Sequence, residues 1–167
     1  MDTEFGDSLK DSTLCFLIRE NPAPEVLLGF KKVRFGAGKY AGFGGGVEPG
    51  ETIIGAAVRE MKEETSVTVF EDKLQRVGHL TFLFPDKPAW SQVVHVFSTR
   101  EWEGEPVESE EMRPEWFRQE EIPYEQMWQD AAHWLPKILA RERIRATYIF
   151  NVDNESVDDV RLAVWKD

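Results

Sequence analysis

Two short apolar runs, at 14–18 and 26–30, are separated by a Pro-rich turn at 21–24 and predict a first β-hairpin. Residues 36–50 carry seven glycines and one proline, a loop that must turn sharply or let its backbone approach something closely. A period near 3.6 follows: Ile53, Ile54, Ala57, Val58 and Met61 form one apolar stripe, so a helix starts after the loop. Further strands are expected at 67–70, 79–84 and 92–99. A second helix is expected within 124–143, broken at Pro136, and a closing hairpin pairs 147–152 with 160–164 around Asn154. The pattern is that of a mixed α/β protein, and 167 residues with 41% apolar and 12% aromatic content suit one domain with an ordinary core. Residues 1–11 are expected to form a flexible N-terminal extension.

Charge changes the picture. Twenty basic against thirty-one acidic residues leave a formal charge of −11, which disfavours nucleic-acid backbones and anionic membranes as partners. An anionic small substrate remains possible if metal ions carry it. Cys15 is the only cysteine, so no internal disulfide or thiolate zinc site can form, and its apolar strand makes it an inert core residue. The first dozen residues lack the basic start and apolar run of a signal peptide, and no apolar segment approaches the ~20 residues of a membrane span. A monomer in the cytoplasm is expected.

The chemistry concentrates between Gly45 and Val67, where Glu51 is followed by Arg59, Glu60, Glu63 and Glu64. On a helix at about 100° per residue, Glu60 and Glu64 lie about 40° apart and Glu63 about 60° from Glu60, so three carboxylates share a face. Like charges at this spacing cost a few tenths of a kcal/mol per pair, and carboxylates near a helix C-terminus oppose its dipole. A bound dication removes that liability. For an arbitrary helix with three glutamates, a solvated charged face is the usual explanation. Here the glutamates follow a Gly-rich loop and border the apolar stripe, and Arg59 stands four residues before Glu63, where it can orient a carboxylate.

Other signals carry less. Gly36, Gly38 and Ala41 match a dinucleotide fingerprint only loosely, with no helix directly after, and the same loop lacks the hydroxyl that a P-loop gives to magnesium. His79, His95 and His133 are scattered and make no nucleophile triad.

The spacing of Gly45, Glu51, Arg59, Glu60, Met61, Glu63, Glu64 and Val67 resembles the Nudix box of the Nudix hydrolases. Ser66 departs from it by replacing a glycine that leaves the helix with positive φ, a change that would cost about 1 kcal/mol without touching the chemistry. Beyond the box, the chain from Thr13 to about Val152 is similar to the oxidised purine nucleoside triphosphate hydrolases of animal type. The likeness rests on Leu27 to Gly29 with Lys31 and Lys32, on Phe35 to Gly38 and Gly42 to Gly45, on Val94 to Phe97 and Pro106 to Ser109, and on Glu111 to Pro114 with Met127 and Trp128.

This resemblance implies the Nudix α/β/α sandwich, a mixed sheet between the box helix and a late helix. It implies hydrolysis of a nucleoside triphosphate to a monophosphate and pyrophosphate with Mg²⁺, or Mn²⁺ as substitute. Metal ligands would be Glu60, Glu63, Glu64, the carbonyl of Gly44, and Glu111 from a separate loop. Glu64 would activate water, Arg59 would orient a glutamate and Lys31 would contact phosphate. Thr13, Phe35, Phe43, Gly44, Gly45, Phe82, Met112, Trp128 and Asp130 would contact the rest of the substrate. Ala41 and Ala131 stand where the animal enzymes have an asparagine and an aspartate, so two polar readers of the base are replaced. Alternatives are a Nudix hydrolase of other specificity, acting on unmodified nucleotides or another diphosphate, and a non-catalytic Nudix-fold ligand sensor; such sensors commonly lose box glutamates, and all three are present here.

Overall fold

The computed structural model describes residues 9–165. The strands are β1 Lys10–Arg19, β2 Glu25–Lys31, β3 Tyr40–Ala41, β4 Thr68–Val69, β5 Gln75–Leu83, β6 Gln92–Thr99, β7 Trp102–Glu103, β8 Met112–Arg118, β9 Ile144–Phe150 and β10 Val157–Ala163. Helix α1 is Ile53–Thr65 and α2 is Ala131–Leu139. Of the expected flexible extension, 1–8 lie outside the described residues, whereas Lys10 and Asp11 belong to β1 and pair with Gln92 and Val93.

Eight strands form the main sheet in the order β10-β9-β5-β6-β1-β2-β3, with β8 also paired to β2. The β1–β6 and β5–β9 pairs are parallel and the others antiparallel, so the sheet is mixed. The continuous apolar run in β1 follows from burial on both faces. Cys15 and Leu17 join Met61 and Ala57 of α1 in one core, while Phe16 and Ile18 join Trp134, Leu135 and Ile138 of α2 in the other. The molecule is therefore the expected sandwich. β9 alternates instead, with Ile144, Ala146, Tyr148 and Phe150 buried on one face only.

α1 starts at Thr52, whose side chain accepts from the Gly55 N–H at 3.0 Å, and it ends at Ser66 with φ 68 and ψ 6. Serine thus occupies the left-handed position that glycine fills at lower cost. α2 differs from expectation. It is not broken at Pro136 but runs through it to Leu139, and 124–126 form a separate 3₁₀ turn. Pro136 forfeits one N–H bond within the helix, and the burial of Trp134, Leu135 and Ile138 around it offsets the loss. β8 lay outside the expected strands. Its apolar residues Met112, Trp116 and Phe117 do not alternate, and it becomes a strand because β2 offers a full edge from Glu25 to Lys31.

Candidate active site

Backbone contacts lay the Gly-rich loop against β1. Thr13 N–H donates to Gly45 O at 2.9 Å, and Cys15 and Phe43 exchange bonds at 2.7 and 3.1 Å. A Cβ on Gly44 would stand 1.7 Å from Thr13 O, and one on Gly45 would stand 2.8 Å from the Glu60 carboxyl. Glycine is required at Gly44, where the clash is with backbone, while at Gly45 a side chain would displace the Glu60 carboxyl; the result is a backbone strip close beside the acidic face of α1.

Arg59 organises that face. Its Nε and Nη2 grip Glu51 at 2.7 and 2.9 Å, Nη1 donates to Glu60 at 2.8 Å and reaches Glu63 at 3.4 Å, and Nη2 also reaches Gly46 O at 3.1 Å. The bidentate grip pulls Glu51 down to about 2 and raises Arg59 in turn. Glu60 is pushed up by burial, with Arg59 opposing. Glu63 stays largely in solvent.

Glu64 is the buried member, 3% exposed. Its Oε1 accepts the Gly44 N–H at 2.8 Å, whereas Oε2 is buried without a donor. Burial first, then a carboxyl–carboxyl hydrogen bond to Glu111 and repulsion from Glu60, push Glu64 up to about 9. Glu111 moves the other way, lowered by that shared hydrogen bond and by Lys31 and Arg34. It accepts from Lys31 Nζ at 3.3 Å and from Arg34 Nη1 at 2.7 Å. The two carboxyls need a proton or a cation between them, and the site is built to hold positive charge. Among the described residues no three acidic, His or Cys side chains already stand as a closed metal cluster, because Arg59 draws Glu60 and Glu63 toward itself.

Glu64 closes one end of a cavity of about 200 Å³ that runs between the sheet and α2. Thr13, Lys31, Gly44, Gly45 and Met112 line the acidic end, and Phe35, Phe82, Trp128 and Asp130 line the far end. Phe35 stacks on Trp128 with centroids 5.3 Å apart. Asp130 precedes α2 but does not cap it; its Oδ2 instead accepts the Trp134 indole N–H at 2.6 Å. Burial lifts its carboxyl to about 6, with that bond opposing.

One expectation about a side chain changes. Phe43 does not line the cavity: it is fully buried in the α1-side core, where a Cβ on Gly29 would strike its ring at 2.6 Å, so it anchors the loop. Glu60, Glu63 and Arg59 flank the cavity rather than line it. Sequence reasoning passed over Ser12, Phe84, Gln92, Trp134 and Phe150, all in the lining. Period two along β1, β5 and β6 could have found several of them, since 12 and 14, 82 and 84, and 92 and 94 repeat on one face.

A family model described as NUDIX domain matches residues 9–138, most of the chain and all of this site but Phe150. The chain belongs to the NUDIX family. Two curated NUDIX relatives carry the name oxidized purine nucleoside triphosphate hydrolase. The Mus musculus protein is 42% identical over 142 residues, covering 85% of this chain and 89% of that protein. The Danio rerio protein is 47% identical over 125 residues, 75% and 78% of the two chains. Among solved NUDIX structures, a MutT protein of Bacillus halodurans superposes with TM-score 0.76 at 26% identity over 92% of this chain and 97% of its own. Among the described residues, no helix of this NUDIX protein is long and apolar enough to cross a membrane.

Proposed function

We propose that this protein is a Mg²⁺-dependent nucleoside triphosphate diphosphatase that releases pyrophosphate and a monophosphate from oxidised purine nucleotides such as 8-oxo-dGTP or 2-hydroxy-dATP, acting as a cytoplasmic monomer. One observation carries the reading: a single cavity has a buried carboxyl demanding a cation at one end and an aromatic wall with a buried carboxyl at the other. A nucleotide carries both chemistries, a charged phosphate tail and a flat base. The names of the mouse and zebrafish relatives support it.

The residues suit a hard cation. Glu64 Oε2 is buried without a donor, and the carboxyls of Glu111 and Glu60 act on it, oxygen ligands of the kind magnesium and manganese prefer. Glu60, Glu63, Glu64, Glu111 and the Gly44 carbonyl would hold it, with Arg59 releasing part of its grip. When bound, the ion supplies charge neutralisation for phosphate oxygens and acidifies water. Ionised Glu64 takes the proton from the attacking water. Arg59 holds Glu51 and orients Glu60, and Lys31 meets phosphate. Trp128 and Phe35 stack on the base, worth about 1–3 kcal/mol per base, and Asp130 accepts an exocyclic amine.

A second reading, a NUDIX hydrolase of broader base choice, is favoured by Ala41 and Ala131, which both line the cavity and offer no hydrogen bond. Pyrophosphate release with Mg²⁺ from 8-oxo-dGTP, 2-hydroxy-dATP, dGTP and dATP decides between them. Turnover led by an oxidised nucleotide is expected, equal turnover of all four favours the broader enzyme, and no pyrophosphate from any of them removes both.

A further inference from the structure

The cavity floor is the α2-side face of the sheet, and one amide stands in it. Gln92 lies on β6, directly across from Phe82 on β5 and beside β1, whose Lys10 is its register partner. Two residues further along β1, Ser12 shares the same face, and its hydroxyl donates to Gln92 Oε1 at 2.7 Å. Both residues line the cavity. Because the hydroxyl takes the oxygen, the amide is turned so that its Nε2–H groups are left over, and among the described residues no acceptor takes them. Of the other polar side chains here, the Tyr40 hydroxyl donates to Glu115 at 3.1 Å and the Trp134 indole to Asp130, while the Thr13 hydroxyl, on the neighbouring position of β1, is buried without a partner and can serve as a second polar contact.

We infer that Gln92, positioned by Ser12, is a residue that reads a carbonyl edge of the base, donating from Nε2 to a purine carbonyl oxygen while Asp130 takes an exocyclic amine. The inference rests on the nucleotide reading above. The two groups approach from different walls, Gln92 from the sheet and Asp130 from the start of α2, and their chemistries are complementary. One presents its amide donors, its oxygen being engaged by Ser12, and the other, when ionised, only acceptors. The ligand that satisfies both is an oxopurine bearing an amine on one edge and a carbonyl on another. Plain adenine has the amine and no carbonyl. Guanine already has both, so Gln92 separates oxopurines, 2-hydroxyadenine in its carbonyl form among them, from plain adenine, a polar readout that Ala41 and Ala131 do not supply. A polar group built to bond a substrate group discriminates strongly, because the analogue lacking that group leaves the donor unpaired.

The cleanest test compares 2-hydroxy-dATP with dATP, which differ by one oxygen, through the ratio of their kcat/KM values. The parent is expected to favour 2-hydroxy-dATP. Gln92→Leu removes the donor, and Gln92→Glu keeps the size while turning a donor into an acceptor; each should lower the ratio at least tenfold, mostly through KM for the oxidised nucleotide. Ser12→Ala should lower it severalfold by freeing the amide to turn, and Ser12→Thr, which keeps the hydroxyl, should restore it. A ratio within twofold of the parent's in either Gln92 variant overturns the assignment, as does a parent with no preference. If the parent hydrolyses no nucleotide, the diphosphatase reading fails instead. Calorimetric Kd values for the two monophosphates then judge Gln92 by itself, with an unchanged ratio in Gln92→Glu counting against it.

Discussion

At the scale of single residues, Glu64 and Asp130 are carboxyls held above their ordinary range, and the sign of their effect follows. A carboxyl raised by folding binds its proton more tightly in the native state than in the unfolded one. Its contribution is most favourable below the unfolded pKa, ~4, and declines as pH rises toward the folded value. For Glu64 that window extends to about 9 and for Asp130 to about 6. Without divalent metal, Glu64→Gln should therefore melt higher than the parent at pH 8 and show a flatter Tm between pH 5 and 9, read by calorimetry in chelator. The same variant should lose roughly 10²–10⁴ in kcat, as expected for loss of a positioned base. Retention of more than half the parent's kcat would mean that Glu64 is not the base. Asp130 predicts a pH effect on recognition. As pH falls through about 6 its carboxylate gains a proton and stops accepting from an exocyclic amine, so KM for an amine-bearing purine should rise. Asp130→Asn should abolish that rise, and a KM flat from pH 5 to 8 in the parent would remove Asp130 from base recognition.

At the scale of elements, α1 carries the acidic face and ends in a strained residue. Ser66 sits at φ 68, where a Cβ is disfavoured, and its backbone N–H still closes the helix onto Lys62 O at 3.0 Å. Ser66→Gly should raise stability by about 0.5–1 kcal/mol with kcat/KM unchanged, since the side chain is not part of the cavity lining. Denaturant unfolding measures the first and pyrophosphate release the second; an unchanged or lower midpoint would show that the serine meets no strain there. α1 also shows how much pattern can carry. Its stripe of Ile53, Ile54, Ala57, Val58 and Met61 identified the buried side, and the same register placed Glu64 at the rim of the core. β8 shows the opposite. Its residues include Arg113, Pro114 and Glu115, a composition that reads as loop, and only pairing with β2 makes it a strand.

For the whole molecule, a formal charge of −11 sets the terms on which a polyphosphate can approach. A cation that binds only where folding has gathered carboxylates should stabilise the native state by about 2.7 kcal/mol at a hundredfold excess over Kd. MgCl₂ should therefore raise Tm in a saturable way that Glu64→Gln weakens, while NaCl at matched ionic strength should not. Equal shifts from the two salts would reduce the effect to screening. The fold class, the strands around 14–18, 26–30 and 92–99, and the acidic helix were all legible from residues in sequence, because each is a local period or spacing. The base end was legible only in part. Trp128 and Asp130 came through the family likeness, and Phe82 with them, whereas Phe43, expected against the substrate, lies in the α1-side core. Ser12 and Gln92 went unnoticed, since neither is distinctive alone.

What the chain determines by itself is whatever short-range stereochemistry dictates: a helix where apolar residues recur every three to four positions, glycines where backbone must pass within reach of backbone, three glutamates on one helical face. What only the tertiary structure decided is which of these meet. β2–β8 pairing, across some eighty residues of chain, brings Glu111 beside Lys31 and Glu64. The parallel β1–β6 pair sets Ser12 against Gln92. Such contacts depend on register between distant strands, and a one-residue slip turns each side chain to the other face, so no local pattern in the sequence can encode them.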